Sequence, residues 1–69
     1  MSQDIRKILA KNLKEIRLKK KITKEALSIR LGFDNSYISK LENCRINVTI
    51  DKLEKIAKYF EVEAYLLLK

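Results

Sequence analysis

The sequence predicts an all-α fold of five short helices around one small core. Apolar residues recur at spacings of three and four through most of the 69 residues, the period of a helix. No segment alternates apolar and polar residues over a useful length, so no strand pattern competes. "VEAYLLLK" has strand-like composition but would have no partner. The chain contains no proline, and its single glycine, Gly32, stands directly after a helical run.

The first helix is expected over 5–20. Ile5, Ile8 or Leu9, Leu13 and Ile16 form one apolar stripe, and Ser2 or Asp4 can cap it. Thr23 is a good N-cap for a second helix at 24–31. Ala26 stands where a capping box would place Glu, so the box is incomplete. Glu25 lies in the first turn, where the helix dipole favours it. Ala26 or Leu27, with Leu31, line the inner face.

Gly32 then reads as a left-handed helix terminus. Phe33 turns inward and Asp34 can cap the third helix. In "FDNSYISKLEN", residues 33–43, Ile38 and Leu41 share one helical face. Asn35, Ser36, Ser39 and Lys40 fall largely on the other side. Two short helices joined by a tight turn containing glycine match a helix-turn-helix over about 24–43. "CRINV" at 44–48 is a loop. Thr49 caps a fourth helix with Leu53, Ile56, Ala57 and Phe60 inward. Glu61 and Val62 turn the chain into a short fifth helix at 64–68.

Length and composition suit one domain, residues 1–69, with 46% hydrophobic residues for its core. No 18-residue apolar run is present, no signal-peptide block opens the chain, and Cys44 has no second cysteine to pair with. Together these point to the cytoplasm and to no membrane. Sixteen basic residues face nine acidic ones, a net charge of +7. Residues 1–33 carry ten basic and three acidic groups, and residues 34–69 carry six of each. That asymmetry suits a polyanion partner, although a chain using lysine for solubility would also show the excess.

Catalysis finds no support. There is no histidine, no phosphate loop, no carboxylate pair that can be placed in a pocket and no metal cluster, so no cofactor is expected. Cys44 alone cannot build a zinc site and reads as an inert loop or cap residue.

One family matches this pattern. "LAKNLKEIRLKKKITKEALSIRLGFDNSYISKLENCRINVTIDKLEKIAKYFEVEAYLL" covers nearly the whole chain and resembles the phage repressor and Cro type of helix-turn-helix, the XRE family. Its most specific parts are "IR" at 16–17, "LGF" at 31–33, "SYISKLEN" at 36–43 and "LEKIAK" at 53–58. The resemblance implies a five-helix, lambda-repressor-like domain that binds duplex DNA as a homodimer on a palindromic operator. It places a recognition helix at about 35–43, with Asn35, Ser36 and Lys40 at base edges and Ser39 assisting. Asn suits adenine N6 and N7, and Lys suits guanine O6 and N7. Tyr37 is expected at the backbone or a thymine methyl.

By the same resemblance, Thr23 and Lys24 head the second helix towards a phosphate, with Lys24 in place of the usual Gln. Asn43 and Arg45 form a second phosphate clamp. Arg17 and Glu42 form a structural ion pair. Leu66 matches a core position. Departures fall at Lys21, Cys44 and Glu61, where the family often has glycine, and at Val48, where it often has proline. "INVTI" resembles the controller proteins of restriction–modification systems.

The tail at about 59–69 is rich in apolar groups that cannot all reach so small a core. Tyr59, Tyr65, Leu67 and Leu68 are therefore expected at a twofold dimer interface. The alternative role is an antitoxin or a protein-interaction adaptor of the same fold. The expected partners are an operator, a second copy, and RNA polymerase or, in the antitoxin role, a toxin.

Overall fold

The computed structural model describes residues 4–69, and the Ser2 cap considered above lies outside them. Four α-helices come in order: α1 (Ile5–Lys19), α2 (Lys24–Arg30), α3 (Tyr37–Glu42) and α4 (Ile50–Phe60). No strand occurs among the described residues. No helix among them is long and apolar enough to cross a membrane. The three extended N-caps act through their side chains. Asp4 accepts from the Arg6 N–H, Thr23 from Ala26 and Thr49 from Lys52, each satisfying a donor that the first turn would otherwise leave orphaned.

All four helices end the same way. The residue after the last turn takes positive φ: Lys21 at 57°, Gly32 at 77°, Cys44 at 58° and Glu61 at 58°. Each donates its N–H to the carbonyl three residues back, and the following residue donates to the carbonyl five back. The pairs are Lys21 to Leu18 with Ile22 to Arg17, Gly32 to Ile29 with Phe33 to Ser28, Cys44 to Leu41 with Arg45 to Lys40, and Glu61 to Lys58 with Val62 to Ala57. This is the Schellman closure. Only one of the four has the residue that adopts it without steric cost. A Cβ on Gly32 would meet nothing within 4 Å, so dihedral preference rather than space favours glycine there.

The expected fifth α-helix is instead a 3₁₀ turn, Ala64–Leu68. Five residues are too few to offset α-helix nucleation, whereas a single i to i+3 turn needs less. Leu66 donates to Glu63 in that pattern. The tighter period changes which side chains point inward. Leu67 enters the core at 3% exposure, so its expected place at a dimer interface is corrected. Leu66, expected in the core, is 42% exposed. Asn12 secures the turn by donating its amide to the carbonyls of Leu67 and Lys69 at 2.9 and 3.1 Å.

One core joins all the elements: Leu9 and Leu13 of α1, Leu27 and Leu31 of the second helix and its end, Ile38 and Leu41 of α3, and Leu53, Ile56 and Phe60 of α4. Leu9 rather than Ile8 takes the fully buried place, and Ile5 is exposed. Fully burying a Leu or Ile side chain contributes roughly 1.5–3 kcal/mol.

Candidate nucleic-acid interface

The turn between α2 and α3 is held from three sides. The Gly32 closure reverses the chain. Phe33 and Tyr37, four residues apart across the turn, meet edge to face with ring centroids 4.7 Å apart. From α4, Lys52 places its ammonium 4.7 Å from the Tyr37 ring centroid and 5.6 Å from that of Phe33. Lys55 lies 5.5 Å from the Phe33 centroid and donates to the Leu31 carbonyl at 3.3 Å. Cations over aromatic faces are attracted to the ring quadrupole, so two lysines of α4 clamp the turn without an acidic partner.

Asp34 organises the entry into α3. Its carboxylate accepts from the hydroxyl of Ser36 and from the Ser36 N–H. The hydroxyl contact, reinforced by the backbone one, holds the Asp34 carboxyl below the ordinary aspartate range. Asn35 and Ser36 therefore lie in this turn, ahead of α3, and not within the recognition helix as expected. A side-chain acceptor two residues back stabilises the turn conformation over a helical one.

Ser36 gives α3 no side-chain cap. Ser28 of α2, wholly buried, supplies one instead. Its hydroxyl accepts from the Ile38 N–H at 3.1 Å and donates to the Lys24 carbonyl at 2.9 Å. The two helices of the motif thus share one hydroxyl, which satisfies an otherwise orphaned donor of α3. Sequence reasoning missed this residue. The signal was available: a small polar side chain beside Leu27 and three before Leu31, on the buried stripe.

Around this scaffold the polar residues spread outward. Asn35, Lys40, Asn43, Arg45, Thr23 and Lys24 are exposed, and Ser36 and Ser39 are half-buried. Thr23 already uses its oxygen as a cap for Ala26 at 3.0 Å, which leaves its hydroxyl proton free. Tyr37 departs from expectation. Its ring belongs to the core, and its hydroxyl is buried with no hydrogen-bond partner. Burial raises its phenol pKa. In this conformation Tyr37 packs against Phe33 and Lys52 and offers nothing to a phosphate.

Behind α3, Arg17 and Glu42 face each other with their side chains only 6% and 4% exposed. Nε donates to one carboxylate oxygen at 2.7 Å and Nη2 to the other at 3.2 Å, a bidentate fork. Nη1 donates to the Ile22 carbonyl at 2.9 Å. The last residue of α3 is thereby tied to α1 and to its closing turn. Nearby the Cys44 thiol donates to the Arg6 carbonyl at 3.7 Å. Of the expected tail residues, Tyr65 is 61% exposed, Tyr59 sits at the edge of exposure and Leu68 is half-buried. Tyr59 also accepts from Arg30 at 2.8 Å.

The arrangement presents short polar and cationic side chains on a turn and helix, with Glu42 paired to Arg17 and Asp34 hydrogen-bonded to Ser36. It suits an anionic, hydrogen-bonding surface. A helix-turn-helix family profile matches residues 13–67. A hypothetical transcription factor of Neisseria meningitidis is 38% identical over 66 residues, covering 96% of this chain. The chain spans only 62% of that relative's length. The crystal structure of the Neisseria factor superposes with a TM-score of 0.92 at 37% identity, over 97% of this chain and 77% of that one. The control protein C.BamHI of Bacillus amyloliquefaciens is 33% identical over 64 residues, 91% of this chain and 79% of its own. The restriction–modification controller protein C.AhdI of Aeromonas hydrophila superposes with a TM-score of 0.82 at 27% identity, over 90% and 94% of the two chains. Fold, site geometry and these relatives agree: the chain belongs to the helix-turn-helix family.

Proposed function

We propose that this protein is a cytoplasmic, sequence-specific regulator that binds a palindromic operator as a homodimer and controls restriction–modification genes. The observation that carries the DNA reading is the exposed set Asn35, Lys40, Asn43 and Arg45 on a turn and helix braced by Ser28, Lys52, Lys55 and the Arg17–Glu42 pair. Asn35 and Lys40, with Ser36 and Ser39 beside them, read base edges in the major groove. Lys24, Asn43 and Arg45, with the Thr23 hydroxyl, hold the phosphate backbone and set register. The gene class rests on the similarity to C.BamHI and C.AhdI.

The dimer reading rests on the tail. In the tail Tyr65 and Leu66 are exposed and Leu68 is half-buried, and Tyr59 of α4 sits at the edge of exposure. With Leu67 turned into the core, Leu66 takes its place in the proposed interface. A twofold axis through this patch buries it against itself and sets two α3 helices about 34 Å apart, one turn of duplex.

In vitro selection from a random duplex library tests the whole reading. The expected product is an inverted repeat with half-sites one helical turn apart. A single asymmetric site, together with a wild type that sediments as a monomer, would remove the dimer. Failure to enrich any sequence would remove sequence-specific reading.

A further inference from the structure

The net charge of the protein is not on its reading motif. Residues 5–21, α1 and its closing turn, carry eight basic residues against Glu15 alone, a net of +7. The rest of the chain carries eight basic and eight acidic residues, a net of zero. The whole excess therefore sits on the helix and closing turn that precede the helix-turn-helix. Arg17 is neutralised by Glu42. Lys7, Lys11 and Lys14 are exposed and make no ion pair, the pairs among the described residues being Arg6–Asp4 and Arg17–Glu42.

Those three lysines are spaced four and three apart, so they form one row along α1. The row is about 10 Å long, close to three axial steps of roughly 3.4 Å on one strand, the span of four successive phosphates. It lies roughly 90° round the helix from Arg17 at 100° per residue. The Arg17 flank is the one facing the end of α3, through Glu42 and through the Cys44 contact with Arg6. A row of unpaired cations thus begins one flank away from the proposed Asn43–Arg45 clamp. Like charges held in a row on a rigid helix repel each other, and a polyanion of matching spacing relieves that repulsion.

We propose that the Lys7–Lys11–Lys14 face of α1 is a second DNA-backbone surface that holds phosphates of the duplex flanking the sequence read by α3. It rests on the DNA reading above and adds a footprint beyond the operator without adding sequence preference. Each lysine acts as a point charge whose contact releases condensed counterions.

The test uses two duplexes carrying the selected site, one ending flush with it and one extended by about 10 base pairs of mixed sequence on each side, roughly one further turn. Wild type is compared with Lys7→Gln/Lys11→Gln/Lys14→Gln and with the corresponding triple Arg variant. On the extended duplex the Gln variant loses about 2.7 from the salt slope per bound protomer, three contacts at about 0.9 each. Its deficit against wild type therefore shrinks by about 40-fold between roughly 50 and 200 mM salt. On the flush duplex the two slopes coincide, and the Arg variant matches wild type on both. An unchanged slope on the extended duplex overturns the proposal, as does an equal loss on both duplexes or a failure of Arg to restore the slope. Wild type that binds neither duplex in a salt-dependent way overturns the DNA reading itself, a result distinct from a silent lysine row on a protein that binds normally.

Discussion

Removing one side of the Arg17–Glu42 pair is the most demanding perturbation this fold allows. Both side chains are more than nine-tenths buried, and the guanidinium makes three hydrogen bonds, two to Glu42 and one to the Ile22 carbonyl. Glu42→Ala leaves a buried cation with two unsatisfied donors, and Arg17→Ala leaves a buried carboxylate. One-sided loss of such a pair costs about 3–5 kcal/mol. A domain of 69 residues has roughly 3–10 kcal/mol in total, at about 0.05–0.15 per residue. Either single variant should consequently sit near or below its folding threshold at room temperature. The double variant Arg17→Met/Glu42→Leu should recover to within about 2 kcal/mol of wild type, because no charge is left unpaired. Urea unfolding followed by helical circular dichroism measures this. With a slope near 1 kcal/mol per molar, a loss of 3 kcal/mol moves the midpoint by about 3 M. An excluded osmolyte such as TMAO brings a variant that is unfolded in buffer back into range. Single variants that lose less than about 1 kcal/mol would mean that the pair behaves as a solvated surface bridge and does not brace α3 against α1. A double variant as unstable as the two losses summed would equally refute that bracing.

Four other perturbations have defined outcomes. Glycine at Lys21, Cys44 or Glu61 should raise stability by about 1 kcal/mol each, since all three hold positive φ; a melt of the triple variant at or below the wild-type temperature contradicts this. Tyr37→Phe should stabilise by about 1 kcal/mol by deleting a buried hydroxyl without a partner, and a destabilised variant would reveal a partner that the hydroxyl needs. Ser28→Ala should cost about 1–3 kcal/mol by orphaning the Ile38 N–H, with hydrogen exchange at Ile38 accelerated; unchanged exchange there would exclude the shared cap. Lys40→Ala should cost roughly 1–3 kcal/mol on the selected site and little on random duplex, whereas Arg45→Gln should weaken both and flatten the salt slope by about one ion; equal effects of the two variants would erase the division between base and backbone contacts.

Much of this protein is set locally, and local physics is written in sequence. Thr23 and Thr49 cap helices because a side chain two or three residues away from a free N–H needs no tertiary partner. Gly32 marks its turn because φ is a property of one residue. Asn35, Lys40 and Arg45 are legible as exposed because they fall outside the face of Ile38 and Leu41 or in the turns beside it. What the tertiary structure alone decided lies where periods are ambiguous or partners are distant. Over the five residues of the tail, a 3.6 and a 3.0 period differ by enough rotation to exchange Leu66 and Leu67, and only packing on α1 and α4 selects between them. Tyr37 could face solvent or core on sequence grounds; the Phe33 ring and the ammonium of Lys52, fifteen residues away, settle it inward. Ser28 looks like an ordinary helix residue until Ile38 arrives ten residues later with an unsatisfied N–H. Sequence patterns encode hydrophobic phase and single-residue dihedrals, but a hydrogen bond between two helices exists only once both have been placed.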